Sequence, residues 1–291
     1  MSMPQFTYSA PDNLEAAITM LKENEAFRPL AGGQSLLVDL KRERTSVEMV
    51  VDLQHIPDLH GIHMTEAGLD VGALTTLTEM AASEVIRKNY TALAEAAESV
   101  GDLQTRNLST LGGSLAYNDP SGDLAAPVLV LGGVIQATGA GGSRAISASE
   151  FFIGPFKTAL LPSELITNIF FPAPKAEDKS AYEKFKNPAT GFAVCGVAAR
   201  IIWNKQGYVY KLAVTGALEY PCLLVQLQDA LANKAPTSEN IKAAVSRIEF
   251  PLSARDDLHA SGEYRMQLAK VLATRAIGRI ALRINPESVS S

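Results

Sequence analysis

The 291-residue sequence contains few of the side chains that build metal centres or covalent cross-links. It has two cysteines, Cys195 and Cys222, and four histidines. Two cysteines this far apart exclude a disulfide framework, and they cannot supply the roughly four thiolates of an iron–sulfur cluster. The histidines show no H-x-x-x-H spacing. Metal chemistry within this chain is therefore not expected.

The sequence also lacks long apolar runs and an excess of basic residues. No window reaches the roughly 20 apolar residues of a membrane helix, and the first residues have neither a basic leader nor a signal-peptide core. We therefore expect no membrane span and a cytoplasmic location. Lysine and arginine number 26 against 31 acidic residues, so a nucleic-acid partner is not expected. A hydrophobic content of 47% allows a substantial core, and the length suits two domains or one subdivided domain.

Helical and strand patterns follow one another in an order that favours an α+β fold. "PDNLEAAITMLKEN" predicts an amphipathic helix capped by Asp12, and "EMVVDL" and "ELITNIFFP" predict strands. "GIHMTEAGLDVGA" and "VIQATGAGGSRAI" predict hairpins, and the alanine-rich "TEMAASEVIRKN" and "YTALAEAAESVG" predict helices. The absence of a regular βαβ alternation argues against a doubly wound sheet.

The last third of the chain has the pattern of a separate domain. The polar, proline-containing segment from Ala173 to Ala181 is the best candidate for a linker. After it, "FAVCGVAARIIWN" and "YVYKLAVTGAL" predict a long hairpin, and three helical segments follow. We therefore predict a C-terminal domain with a three-stranded sheet and helices.

Two segments place a Gly-Gly pair before a hydroxyl residue: the first glycine segment, Ala31–Ser35, and the second glycine segment, Thr110–Ser114. Glycine allows a close approach of the backbone to a ligand, and consecutive N–H groups can then converge on an anion such as a pyrophosphate. A tight strand-to-helix turn is the structural alternative. Two such segments favour one dinucleotide held from both sides. Because "GAGGSRA" from Gly139 reads as a hairpin turn, a Rossmann domain is disfavoured.

Asp123 ends the turn-rich run "TLGGSLAYNDPSGD" that begins at Thr110. A buried carboxylate would repel phosphates, so Asp123 is better suited to accept hydrogen bonds from sugar-alcohol hydroxyls, such as the ribityl chain of a flavin. Alternatively, it caps the helix predicted for "DLAAPVLVLGG".

With these motifs the sequence resembles the FAD-binding medium subunit of the molybdenum hydroxylases, the family of xanthine dehydrogenase and aerobic carbon monoxide dehydrogenase. The resemblance is carried by "AGGQSLL", "TRNLSTLGGSLAYNDPSGDLAAP", "FFIGPFKTALLPSELITNIFFP" and "YEKF", and it runs in order from about Phe6 to Leu282. It implies a two-lobed FAD-binding fold of the vanillyl-alcohol oxidase (PCMH) type, followed by a C-terminal α+β domain. The implied domains are an N-terminal lobe (1–57), a second lobe (58–175) and the C-terminal flavoprotein domain (176–291).

The resemblance also implies the positions that bind FAD. Those expected on the diphosphate are Ala31, Gly32, Gly33, Gln34, Ser35, Thr110, Gly112, Gly113 and Ser114, and Leu36 is a further cofactor-binding position. Asp123 would hold the ribityl chain, Ala116 and Pro120 would shape the loop around it, and Leu165 and Ile166 would lie near the adenine.

Lys184, in "YEKF", matches a family position close to the flavin ring. A positive charge there would stabilise the anionic reduced flavin; an ordinary solvent-facing strand lysine is the alternative. The sequence departs from the family at Lys186–Gly191, where relatives usually carry a basic pair and an acid. "FIGPFKTAL" resembles the loop near the ring, most clearly at Gly154 and Thr158; it could instead connect a helix to a strand.

The function implied by the resemblance is that of an electron-transfer subunit carrying FAD. Iron–sulfur clusters on a small partner subunit would supply electrons from a large molybdopterin-binding subunit, and the flavin would pass them to an external acceptor. A dimer of heterotrimers is the implied assembly. Two alternatives remain: a self-sufficient FAD-dependent oxidoreductase of the same fold, and an assembly scaffold without cofactor. We expect no catalytic side chain and no metal ligand in this chain.

Overall fold

The computed structural model describes residues 3–175 and 177–284. The fold opens with three short parallel strands joined by two helices: β1 (Thr7–Ser9), α1 (Leu14–Glu23), β2 (Phe27–Leu30), α2 (Leu36–Lys41) and β3 (Met49–Asp52). The sheet order is β1-β3-β2. Strand β1 was not predicted, because its three residues are exposed or half-buried and show no apolar pattern. This region therefore does alternate strands and helices, unlike the rest of the chain.

The N-cap of helix α1 lies one residue after the predicted one. Its N-cap is Asn13, whose side chain accepts a hydrogen bond from the Ala16 N–H at 2.9 Å, and not the predicted Asp12. Asp12 instead accepts a hydrogen bond from the Asn13 amide. The apolar face was predicted correctly: Ala17 and its neighbours on that face are buried.

A five-stranded antiparallel sheet forms the second region, in the order β4-β5-β10-β6-β7. The strands of this region are β4 (Ile62–Met64), β5 (Gly68–Gly72), β6 (Val134–Gly139), β7 (Gly142–Ser147), the separate hairpin β8 (Phe152–Gly154) with β9 (Lys157–Thr158), and β10 (Leu165–Pro172). A 3-10 turn, Pro57–Leu59, precedes them. Both predicted hairpins are present, and "GAGGSRA" is indeed the turn of one of them.

Seven helices belong to the same region of the chain. They are α3 (Leu77–Ala82), α4 (Glu84–Asn89), α5 (Thr91–Ser99), α6 (Leu103–Leu108), α7 (Leu111–Tyr117), α8 (Ala125–Leu131) and α9 (Ala148–Phe151). The segment predicted as one helix, "TEMAASEVIRKN", is split into α3 and α4 at Ser83, which ends the first and caps the second. Pro127 is accommodated because it lies in the first turn of α8, where its missing N–H has no intrahelical partner.

The C-terminal sheet consists of β11 (Asp178–Lys186), β12 (Ala193–Asn204), β13 (Gly207–Thr215) and β14 (Cys222–Leu223), and it is followed by α10 (Val225–Leu231), α11 (Ser238–Ser246) and α12 (Gly262–Ile284). The predicted three-stranded sheet thus has a fourth strand of two residues. The predicted linker is shorter than expected because its last residues, from Asp178, already belong to β11.

The C-terminal sheet is covered on both faces, which explains its apolar composition. Successive residues of β12 enter different cores: Val197 packs with the core that includes α12, and Ala198 with the core that includes α8. The α+β fold class is confirmed. The three domain boundaries stay a prediction, and Ala176 and residues 285–291 of the third predicted domain lie outside the described residues. No helix within residues 3–175 and 177–284 has both the length and the apolar character needed to cross a membrane.

Candidate functional site

The two glycine segments lie directly against each other, although Gly32 and Thr110 are 78 positions apart in sequence. A Cβ built on Gly32 would lie 1.6 Å from the carbonyl oxygen of Leu108, and one on Gly113 would lie 3.3 Å from the Cβ of Ala31. No side chain can fit between two backbones at the first of these distances. Glycine is therefore required at position 32 for the first segment to pack against Leu108, two residues before the second segment begins.

The first glycine segment presents a run of backbone donors. Strand β2 ends at Leu30 and helix α2 begins at Leu36, and between them Gly33 adopts a φ of +71°. Within residues 3–175 and 177–284, the N–H groups of Gly32, Gly33, Gln34 and Ser35 donate to no protein acceptor. Gly32, Gly33 and Ser35 are half-buried and Gln34 is exposed, and four consecutive free N–H groups beside a cavity are suited to an anionic ligand.

The N–H groups of the second glycine segment form hydrogen bonds within the protein, unlike those of the first segment. Thr110 caps α7 by accepting a hydrogen bond from the Gly113 N–H at 3.1 Å, and the Gly112 N–H donates to the carbonyl oxygen of Ala73 at 2.8 Å. These N–H groups are therefore engaged within the protein and do not form a second anion-binding run. Gly112 is needed for packing, because a Cβ there would lie 2.5 Å from that of Ala73.

A cavity of about 300 Å³, the first cavity, opens between the two segments. Most of the predicted binding residues line it: Ala31, Gly32, Gly33, Gln34, Ser35, Leu36, Thr110, Gly112, Gly113, Ser114, Ala116, Leu165 and Ile166. Pro120, Asp123 and Lys184 do not. The first cavity thus brings together residues from three separate stretches of the chain.

One end of the first cavity is bordered by an ion pair. Glu164 accepts two hydrogen bonds from the Arg144 guanidinium, both at 2.8 Å, and a third from the Leu161 N–H at 2.7 Å. The hydrogen bonding from Arg144 is the main cause that holds the pKa of Glu164 below its ordinary value, and the bond from Leu161 adds to it, although burial acts in the opposite direction. The interaction fixes the segment before β10, whose first residues, Leu165 and Ile166, line the cavity.

A second cavity of about 350 Å³ continues from the first. The two share five lining residues: Gln34, Ser35, Ser109, Ser114 and Tyr117. Asp123 lies on the wall of the second cavity, and the other lining residues include Gly101 and the segment Thr190–Phe192. Gly191 has a φ of +74°, and a Cβ there would lie 3.3 Å from the Cα of Gly101, so these two loops pack closely.

Asp123 belongs to a buried ion pair with Lys184. The Lys184 ammonium donates to Asp123 Oδ2 at 2.8 Å, and the Tyr182 hydroxyl donates to Oδ1 at 2.6 Å. The Lys184 and Asp123 side chains are only 6% and 3% exposed, so the alternative of a solvent-facing lysine is wrong. Helix α8 has no side-chain cap, and the capping role considered for Asp123 is also wrong.

Burial dominates the electrostatics of this ion pair. Burial raises the pKa of Asp123, and the Lys184 charge and the hydrogen bonds from Lys184 and Tyr182 oppose the rise. Burial and the neighbouring carboxylate raise the pKa of Tyr182 well above its ordinary value, so the hydroxyl keeps its proton and donates it. The two donors leave the paired carboxylate with weaker repulsion toward a nearby anion than an isolated charge would have.

Several residues at the cavities were missed by the sequence analysis. Tyr182 carried a usable signal: it lies two residues before Lys184 on one strand, so both side chains point to the same face. Arg28 and Tyr117 line the first cavity, and no sequence pattern indicated either residue. The Tyr117 hydroxyl donates to Asp39 Oδ2 at 2.7 Å, and burial followed by this bond raises the Tyr117 pKa.

The segment resembling the family's ring-proximal loop connects helix α9 to strand β10, and it contains the short β8–β9 hairpin. Asn118 holds it by donating to the carbonyl oxygens of Gly154 and Lys157, both at 2.8 Å. Phe156, with a φ of +54°, packs edge-on against Tyr117 at a centroid distance of 5.3 Å. The predicted positions Gly154 and Thr158 line neither cavity.

Comparison with known families assigns the chain. Residues 4–174 match the model of the FAD-binding domain in molybdopterin dehydrogenase, and residues 180–280 match that of the C-terminal domain of the CO dehydrogenase flavoprotein. The chain belongs to this family. The resemblance found in the sequence is therefore confirmed, and so is FAD as the cofactor of this molybdopterin dehydrogenase flavoprotein.

Relatives of this flavoprotein match over nearly their whole length. The carbon monoxide dehydrogenase medium chain of Afipia carboxidovorans is 30% identical, with 96% of this chain and 97% of that protein covered. The glyceraldehyde dehydrogenase medium chain of Sulfolobus acidocaldarius is 29% identical, with 97% and 100% covered. The xanthine dehydrogenase FAD-binding subunit of Escherichia coli O157:H7 is 26% identical, with 93% and 94% covered.

Solved structures agree. A chain of the Cu,Mo-CO dehydrogenase in its cyanide-inactivated form superposes with a TM-score of 0.93 at 29% identity, covering 97% of this chain and 100% of that chain. A chain of quinoline 2-oxidoreductase from Pseudomonas putida 86 gives a TM-score of 0.90 at 26% identity, covering 98% and 99%. The molybdopterin dehydrogenase flavoprotein is thus an oxidoreductase subunit, and the predicted flavoprotein fold is confirmed.

Proposed function

We propose that FAD lies along the two cavities, with its diphosphate on the first glycine segment. The adenine would lie toward Leu165 and Ile166 in the first cavity, and the ribityl chain and ring would extend into the second cavity, where Asp123 is found. This direction follows from the chemistry of the two cavities. The free N–H groups suit phosphate oxygens, the apolar start of β10 suits a base, and a carboxylate suits hydroxyl groups.

The observation that carries this proposal is the run of four unpaired N–H groups from Gly32 to Ser35 beside the first cavity. Such a run binds an anion without any charged side chain. The second glycine segment would support it from the other side through the Thr110 and Ser114 side chains. Its own N–H groups are not needed for this arrangement.

At the other end, Lys184 and Asp123 would act on the flavin as a unit. Asp123 keeps unused lone pairs for ribityl hydroxyls, because each oxygen accepts one hydrogen bond from this chain and can accept another. The Lys184 ammonium, buried behind the carboxylate, would contribute positive potential to the second cavity. Pro120 and Ala116 would shape the neighbouring loop, as the resemblance implied.

The protein's role would be to position FAD between partner subunits and an acceptor. When bound, FAD supplies two-electron redox chemistry that can also proceed in single-electron steps. A small subunit would bring the iron–sulfur clusters and a large subunit the molybdopterin cofactor, and the assembly would be a dimer of heterotrimers reducing an external acceptor. The "medium chain" names of the relatives support a multi-subunit enzyme. The two free thiols suit a cytoplasmic location.

The test is purification of the chain from its native host through a tag. We expect co-purification with two further polypeptides, flavin bands near roughly 370 and 450 nm, and bound molybdenum and iron. Substrate oxidation by the chain on its own would instead support a self-sufficient oxidoreductase. A colourless complex that takes up no added FAD would contradict the proposal and favour a scaffold.

A further inference from the structure

The loop that carries Asp123 is held in place from the C-terminal region of the chain. The carbonyl oxygen of Pro120 accepts hydrogen bonds from the Gly216 N–H at 2.7 Å and the Thr215 hydroxyl at 3.0 Å. That hydroxyl also lies 2.6 Å from the Gly122 carbonyl oxygen. The proline turn, Pro120–Asp123, is thus bonded through Pro120 and Gly122 to the last residue of β13, and through Pro120 also to Gly216 just after it.

Arg255 adds a charged contact to the same turn. Its guanidinium donates to the Ser121 hydroxyl oxygen at 2.6 Å and pairs with Asp257 at 3.2 Å. The Arg255 backbone is fixed as well, since its N–H donates to the Ala217 carbonyl oxygen at 2.9 Å. Arg255 therefore connects the segment between α11 and α12 to the middle of the proline turn.

Another arginine, Arg265, is fully buried and helps to hold Arg255 in place. Arg265 on α12 is 2% exposed and donates to the carbonyl oxygens of Val194 and Gly216 at 2.7 and 2.9 Å. Its guanidinium also donates to Asp257 at 2.6 Å. Asp257 is thus shared by both arginines, so the position of the Arg255 guanidinium is fixed by a network and not by a single contact.

We propose that Arg255 is a positioning residue for the ring end of the flavin site. It holds the proline turn through Ser121 so that Asp123 keeps its place on the wall of the second cavity. The inference rests on the proposed location of FAD. It assigns to the C-terminal region a role in the cofactor site that the binding motifs of the N-terminal regions do not carry.

The experiment compares Arg255→Met, Arg255→Lys and the control Arg247→Met in the purified complex. Arg247 is an exposed arginine at the end of α11. Loss of a charge-assisted hydrogen bond predicts that Arg255→Met raises the dissociation constant of FAD about tenfold. It should also reduce the circular dichroism of the flavin band near roughly 450 nm, which reports the surroundings of the ring. The guanidinium bonds Ser121 and Asp257 through two different nitrogens, and lysine has a single nitrogen. Arg255→Lys should therefore restore only part of the FAD affinity and of the dichroism.

Ser121→Ala keeps the test decisive if Arg255→Met fails to assemble, because it removes only the acceptor hydroxyl. We expect the same direction of change, and the double variant Arg255→Lys with Ser121→Ala should fall short of additivity. FAD affinity and flavin dichroism equal to wild type in Ser121→Ala and Arg255→Lys would overturn the positioning role alone. A wild-type complex without FAD would overturn both this inference and the proposed function.

Discussion

The two ends of the proposed FAD site are built in different ways. The first cavity is formed by backbone: glycines that let two segments touch, and N–H groups with no partner in the described residues. The second cavity depends on side chains that are charged, buried and paired, with Asp123 held by Lys184 and Tyr182. Close backbone packing restricts which residues fit at the first end, whereas the second end depends on charged side chains that must meet and pair. The chain combines both types along one ligand.

The largest effect that separates the two ends is expected from Lys184→Met. It leaves the Asp123 charge buried without its partner, and breaking a buried pair typically costs about 3–5 kcal/mol in the free energy of unfolding. Urea unfolding of the purified chain measures it. Lys186→Met, an exposed lysine at the end of the same strand, should stay near wild type.

A combined variant sharpens this prediction. Replacing both partners, in Lys184→Met with Asp123→Leu, removes the unpaired charge and should recover much of the stability lost in the single variant. Equal stability of Lys184→Met and wild type would show that the ion pair contributes nothing to the fold.

At the backbone-built end, Gly33→Val and Gly113→Val should each lower FAD retention by more than about tenfold. Their loss of folding stability should be smaller than that of Lys184→Met. A non-glycine residue is strained at a φ of +71°, and a Cβ at position 113 would lie 2.8 Å from Thr110 Oγ1. FAD released per complex is the measurement. Gly141→Val is the matched control, since nothing lies within 4 Å of its Cβ position. Normal flavin content in both variants would refute the diphosphate assignment.

The smallest effect is expected at the rim of the first cavity, in Glu164→Gln. Arg144 is 41% exposed, so the pair is worth about 0.5–1 kcal/mol at neutral pH. The pKa of Glu164 is lower in the folded state than its ordinary value. The ion pair therefore stabilises the fold above the unfolded-state pKa of Glu164, about 4.3. This stabilisation is lost as the pH falls through the folded-state pKa. Thermal unfolding from pH 7 to 3 should show the difference from wild type disappearing, with exposed Glu150→Gln unchanged throughout.

The same contrast explains what could be predicted from sequence. The first glycine segment is contiguous, so its free N–H groups could be anticipated from five residues. The Lys184–Asp123 pair joins residues 61 positions apart, and Arg255 reaches Ser121 across 134. No local spacing encodes such contacts. The resemblance pointed to Lys184 but placed it by the ring and not against Asp123, and it gave no signal for Arg255.

The fold shows a similar division. Long, strongly patterned elements such as β10, β12 and α12 were predicted, and the α+β class and the flavoprotein family are confirmed. The elements that were missed are short ones whose existence depends on a neighbour: β1 pairs with β3, and β14 adds two residues to β13. The engaged N–H groups of the second glycine segment were also unforeseen, because their acceptors, Ala73 and Thr110, are set by tertiary packing and helix capping.

The contact between Gly32 and the Leu108 carbonyl has one more consequence. Because the Gly32 backbone packs tightly against the end of α6, we expect the walls around the first cavity to keep their separation when a dinucleotide binds. Little chain entropy is then lost when the cofactor arrives, and more of the interaction energy is retained as affinity. Slow exchange of the flavin with the surrounding pool would follow from this rigidity, since release could not begin by spreading the two segments apart.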